Sequence, residues 1–420
     1  MKKVLAIIFT LLIIIAFAII AYSWNYLSKK YPTTPPLKSI SYYLEHMKKP
    51  HSKMQKETIG FLPYWRIADS RYTRQDLITE INYFGLFVNG DGEFITVYNG
   101  ETNPGKREWD SQTIKDLITK THINGNKFTL SIICQDNDDI NSILDSNSSQ
   151  KKLISNIINE ISLRKLDGIN IDFEYTGSAD QKYKQKLTEF SKKLKQAMKT
   201  QNAKNKLEIS ILPRSARPQT PKRSDGGQAR TPDIIDFEKL VPIYDNFIGM
   251  SYDFNGGSGT NAGPIAPMTG FKENKYFFDV ATVYDDLEGY IPEDKIIMGV
   301  PHYGWDWAVE DGKKILSTTL LQTDETNSPA VISYARALEN KDLKKSQCYF
   351  DEFALEPWCW YTDPKTKIDH QVWFENKKSI GIKYDFANKN KLGGIAIWVL
   401  GYDKDYPDLW NLMKAKFAKN

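Results

Sequence analysis

Cysteine is scarce: three copies in 420 residues are too few for a disulfide scaffold. Histidine is nearly as rare, with five scattered copies and no CxxC or HExxH spacing. A structural zinc site is therefore not expected, and no metal ligands are assigned. GxGxxG and GxxxxGK(S/T) are missing too, which removes the main support for a nucleotide-binding fold. No motif calls for a cofactor. Lys and Arg total 56 against 52 Asp and Glu, and the excess of +4 is spread along the chain without a basic tail. No nucleic-acid partner is expected from that pattern. Apolar residues make up 41% and aromatics 13%, enough for a large core and too much for a disordered chain.

One long apolar run stands out. Lys2 and Lys3 precede Val4–Tyr22, broken only by Thr10. That length is close to the roughly 20 residues that span a bilayer, and a secretory core of about 7–15 residues is shorter. Residues 1–23 are expected to be a retained signal anchor, or a cleaved signal peptide if Ala21-Tyr22-Ser23 is processed. The two lysines favour a cytoplasmic N-terminus and place the rest outside the cytoplasm, membrane-anchored or secreted. Pro32, Pro35 and Pro36 then introduce a polar, Lys-rich stretch. Residues 24–55 are expected to be a spacer with one short helix near Ser39–Met47.

From residue 56 onward, short β-branched or apolar runs recur. They are Thr58–Trp65, Tyr83–Asn89, Phe128–Cys134, Gly168–Tyr175, Leu207–Pro213, Asn246–Phe254, Lys295–Tyr303 and Gly393–Gly401. Helix-like segments lie between most of them. In Lys182–Thr200, Leu187, Phe190, Leu194 and Met198 fall at helical spacing. Eight strands alternating with helices predict a (β/α)8 TIM barrel over 56–420, preceded by an N-terminal transmembrane helix. The gap before the last strand is too long for one crossover. Residues 308–370 are expected to be a small α+β insertion after strand seven, followed by a helix over Gln371–Lys391. Cys348 and Cys359 fall in the insertion, as a disulfide or as two free thiols. Cys134 is expected to be a small core residue.

The fourth run carries chemistry. In Asp167-Gly-Ile-Asn-Ile-Asp-Phe-Glu174, Gly168, Asn170, Asp172 and Glu174 share one strand face, and Ile169, Ile171 and Phe173 share the other. In a barrel the apolar face meets the helices and the polar face points inward. An unsatisfied polar group there costs about 1–3 kcal/mol, so the polar residues must be bonded or used. Glu174 would emerge at the C-terminal face, where barrel active sites sit. On spacing alone, an amphipathic edge strand facing water would read the same way.

This run resembles the DGxDxDxE signature of glycoside hydrolase family 18, the chitinase-like barrels. Met250-Ser-Tyr-Asp253 resembles the family's strand-six MxYD. Gly299-Val-Pro-His-Tyr-Gly304 and Gly393-Gly-Ile-Ala-Ile-Trp398 resemble its motifs in strands seven and eight. The likeness extends over about residues 58–415. It is strongest to the bacterial branch of spore-germination and cortex-lytic N-acetylglucosaminidases, which often carries Asn at the position of Asn170. Gly263-Pro-Ile-Ala-Pro267 and His370-Gln-Val-Trp-Phe-Glu375 also resemble that branch. No LysM-like repeat precedes the barrel.

The resemblance implies substrate-assisted retaining hydrolysis, in which the sugar's 2-acetamido oxygen attacks C1. Glu174 would be the general acid and base, with a raised pKa. Asp172 would orient the acetamido N–H, and Tyr252 would hold its oxygen. Trp398 would floor the sugar site, with Asn170, Asp253, Tyr303 and Trp65 also binding substrate. Tyr64, Trp305 and Trp307 are candidate stacking or rim aromatics. Asn170 removes a like charge beside Asp172, which is expected to keep Asp172 firmly anionic. The implied partner is an N-acetylhexosamine polysaccharide or oligosaccharide, peptidoglycan rather than chitin given the anchor. A monomer is expected. The alternatives are a lectin-like barrel without catalysis, or a surface scaffold that binds protein through the insertion.

Overall fold

Each of the eight apolar runs forms a parallel strand in a closed barrel. The computed structural model describes residues 2–47, 52–177, 181–213, 234–320 and 328–419. Residues 48–51 of the expected spacer and 321–327 of the expected insertion lie outside the described residues. β1 (Glu57–Pro63) and β2 (Glu80–Phe87) come first, followed by a small hairpin of β3 (Val97–Tyr98) and β4 (Glu101–Thr102). β5 (Lys127–Cys134), β6 (Gly168–Phe173), β7 (Lys206–Ile211), β8 (Asn246–Gly249) and β9 (Ile296–Pro301) continue the barrel. β15 (Gly394–Trp398) closes it between β9 and β1.

The helices follow in order. α1 is Lys2–Lys30 and α2 is Pro36–Met47. After β2 come α3 (Pro104–Trp109) and α4 (Gln112–Ile123), and after β5 come α5 (Asn137–Asp145) and α6 (Asn147–Arg164). α7 (Gln181–Gln201), α8 (Phe237–Leu240) and α9 (Val280–Glu288) follow β6, β7 and β8. The last three are α10 (Tyr334–Glu339), α11 (Lys377–Lys389) and α12 (Asp408–Phe417). Alternation on β6 sets its two faces: Phe173 stacks on Phe190 of α7 with centroids 6.1 Å apart, while Asn170 points into the barrel.

The barrel interior is layered. At the N-terminal end, the Lys206 ammonium sits 2.6 Å from Glu57 Oε2, 3.0 Å from Glu80 Oε2 and 2.7 Å from Glu208 Oε1. Above it, Thr129 donates to Glu80 (2.6 Å), Asn82 donates to Thr129 (2.9 Å) and Ser131 donates to Asn82 (2.6 Å). Apolar side chains including Phe61, Phe84 and Ile133 cluster in the upper part. Charge pairing and hydrogen bonding offset what burial of these polar groups would otherwise cost.

Two expectations need correction. Residues 371–374 are not helical: β14 (Asp369–Phe374) pairs with a neighbouring strand, and α11 starts only at Lys377. Asn376 sets that start, its side chain accepting from the N–H groups of Lys378 and Ser379 in a capping box. β14 belongs to a five-stranded antiparallel sheet that begins with β10 (Tyr303–Val309), immediately after β9. The other members are β11 (Ala330–Ser333), β12 (Gln347–Phe350) and β13 (Pro357–Thr362). Cys348 and Cys359 lie opposite each other on β12 and β13 and form a disulfide. Cys134 is free and buried.

Residues 27–47 of the expected spacer pack on the barrel, and the short helix expected within it is α2. α1 continues helical to Lys30, and Leu27 and Tyr31 are buried in a cluster with Ile123. Thr119 donates to Thr34 (2.7 Å), Lys38 pairs with Asp116, and His46 meets Asn124 (3.1 Å). α2 therefore lies along α4 through these polar contacts and through Tyr42 and Tyr43, half-buried against the Leu27–Ile123 cluster, while Leu37, Ile40, Leu44 and Met47 stay exposed.

Candidate active site

Strand ends at the C-terminal mouth of the barrel surround a cleft of about 860 Å³. β6 delivers two carboxylates to it. Asp172 is buried and Glu174, just past the strand end, is half-buried, and both line the cleft. The Glu174 carboxylate accepts a hydrogen bond from Gln135 Nε2 at 2.7 Å. Burial and the neighbouring Glu174 charge push the Asp172 carboxyl well above its usual range, opposed by a hydrogen bond from Ser210. The missing charge at position 170 therefore does not leave Asp172 firmly anionic, as the sequence suggested. Asp172 Oδ1 accepts no hydrogen bond among the described residues.

Tyr252 follows β8 and faces the carboxylates. Gly299 on β9 makes room for it, since a Cβ there would lie 2.4 Å from Gly249 O and 2.9 Å from the Tyr252 ring. Burial, then the charges of Asp172, Asp253 and Glu174, hold the Tyr252 hydroxyl well above its usual pKa. It therefore stays protonated and able to donate. Trp398, at the end of β15, lies parallel to Tyr252 at 6.0 Å with a 5° interplanar angle. Trp65 and Phe84 pack edge-on against Trp398 at 6.3 and 4.8 Å. The result is an aromatic wall with a protonated phenol and two carboxylates around one space.

Not every expected residue reaches that space. Asn170 is fully buried beneath Asp172 and is not part of the lining. Its amide donates to Ser131 Oγ (3.1 Å) and Ser210 Oγ (2.9 Å), which corrects its expected role as a substrate contact. Tyr303 is also buried outside the lining, edge-on to Tyr402. Asp253 does line the cleft, with a left-handed backbone (φ 53°), and accepts from Trp305 Nε1 at 2.8 Å. Burial raises its pKa. Trp307 is a core residue with no exposure, and Tyr64 and Trp305 stay outside the lining.

Sequence reasoning missed Gln135, Ser210, Phe61, Phe84 and Phe278, which all line the cleft. Gln135 had a signal: it is the first polar residue beyond an apolar strand end. Ser210 faces inward by alternation on β7, but only the pairing of β7 with β6 brings it to Asp172.

The model of glycosyl hydrolases family 18 matches residues 52–403. The cortical fragment-lytic enzyme of Bacillus subtilis (strain 168) is 25% identical over 277 residues, 66% of this chain and 55% of that protein. This chain thus spans little more than half of that relative's length. Among solved structures, the spore cortex-lytic enzyme SleL of Bacillus megaterium QM B1551 aligns with a TM-score of 0.65 and 22% identity, over 88% of this chain and 75% of its own. The family 18 chitinase of Cycas revoluta, in complex with (GlcNAc)3, aligns with a TM-score of 0.67 and 16% identity, over 86% and 99%. These two likenesses concern the fold, whereas the family match covers most of the chain: the protein belongs to glycosyl hydrolases family 18.

Proposed function

We propose that the protein is a retaining glycosidase that cleaves β-linked N-acetylglucosamine glycans of the peptidoglycan or chitin type by substrate-assisted catalysis. The observation that carries this reading is one cleft holding Asp172, Glu174, Tyr252 and Trp398. Glu174 protonates the glycosidic oxygen, and the acetamido oxygen attacks C1 to form an oxazolinium ion. Glu174, now a carboxylate, takes a proton from the water that opens the ring. Asp172 accepts the acetamido N–H at its open Oδ1. Tyr252 donates its retained proton to the acetamido oxygen. Trp398 supplies the apolar floor under the sugar, with Trp65 beside it at the rim.

The N-terminal helix supports an extracytoplasmic, membrane-anchored location. Its segment Ile8–Lys30 is long and apolar enough to cross a membrane, with a mean hydropathy of 2.1 over an 18-residue window that has no buried residue. An anchored enzyme outside the cytoplasm meets wall glycan first, so peptidoglycan is the preferred substrate. The test compares wild type with Glu174→Gln on chito-oligosaccharides and purified glycan strands, reading products by mass. The wild type is expected to cleave, and the variant to bind with activity reduced by about 10²–10⁴-fold, the usual share of a general acid. Sugar binding by both without cleavage by either would instead establish a lectin.

A further inference from the structure

We propose that the N-terminal face of the barrel is a docking surface for an anionic lipid bilayer, holding the cleft away from the membrane. The proposal rests on the reading of α1 as an anchor and is independent of the catalytic roles.

The first observation is where α1 joins the barrel. Tyr22, Trp24 and Tyr26 are 72%, 49% and 48% exposed, whereas Leu27 and Tyr31 are 6% and 3% exposed. Docking thus begins about five residues, or about 7.5 Å of helix, beyond the apolar run. That is close to one Debye length at physiological salt, about 8 Å. Exposed Tyr and Trp at this point suit a membrane interface. No flexible spacer intervenes, so the barrel surface nearest this junction stays near the headgroups.

The second observation is which surface that is. α4 runs from the mouth of the barrel down to the loop before β5, so Ile123 and Asn124 lie at the N-terminal face. Thr33 and Thr34 contact Gln112, Lys115, Asp116 and Thr119, higher on α4. Leu27 and Tyr31 are buried with Ile123, lower down. Traced backward from Thr34, the chain therefore descends toward the N-terminal face. From Tyr26 back to Ile8, the side chains of α1 are exposed apart from half-buried Ser23, so the helix projects past the barrel.

The third observation is charge. Loops that precede strands, and the last turns of helices, form this face. Lys120 of α4, Lys165 after α6, and Lys199 and Lys204 around the end of α7 lie on one flank of the anchor. Lys389 and Lys391 at the end of α11 lie further round the same face, beside α9, where the Gly393 N–H bonds to the Glu293 carbonyl. None of the six pairs with a carboxylate among the described residues. The helix dipole accounts for lysines in last turns. It does not account for Lys204 or Lys391, which lie past the helix ends. Nor does it account for Glu288, Glu293 and Asp294, which gather where α9 descends to the same face. In the barrel order, the β8–α9 unit stands diametrically across from the β2–α4 unit that carries the anchor. The lysines of α4, α6 and α7 thus lie on the flank beside the anchor and the acids stand across the barrel from it, as attraction to an anionic leaflet requires. The seven residues of β1 alone put roughly 20 Å between this face and the cleft. The glycan within reach is then polymer standing off the bilayer rather than sugar at the lipid headgroups.

The experiment uses the full chain carrying a single donor dye, at Ala203→Cys on the lower face or at Glu101→Cys in the upper hairpin. Native thiols do not interfere, because Cys134 is buried and the other two are bonded. Each protein is reconstituted in phosphatidylcholine–phosphatidylglycerol vesicles that carry an acceptor on the lipid headgroup. Strong energy transfer from position 203 and near loss of it at position 101 is the expected result. Lys165→Glu, Lys199→Glu and Lys204→Glu together should abolish that difference. Protein that floats with the vesicles but transfers equally from both positions overturns the orientation and leaves the anchor reading intact. Protein that does not float overturns both. If position 203 responds only when a soluble polyphosphodiester polymer is added, the lysines serve that polymer and the proposal fails.

Discussion

Asn170 replaces the acid of the fuller signature with a one-way donor. Its amide gives both hydrogens to serine oxygens, so Ser131 passes its own proton to Asn82 and Ser210 passes its proton to Asp172. Asp172 thereby receives a donor where an aspartate at 170 would bring a competing charge. We expect Asn170→Asp to raise the Asp172 pKa further, by like-charge repulsion. The ionised form that accepts the acetamido N–H is lost as pH falls through that pKa, so the acid limb of kcat/KM should move to higher pH. A profile that superimposes on wild type would show that position 170 does not govern Asp172. From sequence, the two carboxylates and their shared face were legible, because alternation is local. The Ser210 contact was not, because it crosses between strands.

At the scale of elements, the antiparallel sheet is joined to the barrel by a buried ion cluster. The Lys383 ammonium on α11 lies 2.6 Å from Glu375 and 3.5 Å from Glu356. Glu356 in turn accepts the backbone N–H groups of Ile265 (3.0 Å) and Ala266 (2.8 Å), fixing the loop after β8. Burial, then the Glu375 charge, pushes the Glu356 carboxyl well above its usual range, while Lys383 opposes this. Lys383→Met would strand two buried acids and should cost about 3–5 kcal/mol in urea unfolding. Replacing all three members by apolar residues should cost much less, since no charge is then left unpaired. The same lysine and acids tie together Gly263–Pro267 and His370–Glu375, two of the segments that carried the likeness to the bacterial branch.

For the whole molecule, pH dependence of stability is a contest between buried groups with opposite signs. Burial lowers His302 from 6.5 to about 3. Burial, first among several causes, raises Asp403 from 3.8 to about 7. As pH falls below 6.5, the unfolded chain protonates His302 and the folded chain does not, so stability falls. Over the same window, folded Asp403 takes up a proton that the unfolded chain takes only near 3.8, so stability rises. Each effect changes by up to about 1.4 kcal/mol per pH unit, and the two largely offset each other. Relative to wild type, His302→Gln should therefore gain stability at pH 5 compared with pH 8, and Asp403→Asn should lose it. Urea unfolding at the two pH values checks both. Parallel changes in the two variants would show that these groups do not titrate as their burial implies.

The sequence by itself determined what is local. Hydrophobic alternation set the eight strands, the 3.6-residue period set α7, and the apolar run set the N-terminal helix. The order of four short motifs pointed to the family. Tertiary structure alone decided what depends on register and packing across the chain. It buried Asn170 and Tyr303 outside the cleft, turned residues 371–374 into a strand and bonded Cys348 to Cys359. It also laid the supposed spacer along α4. In each case the deciding partner lies on another element, where spacing along the chain carries no information.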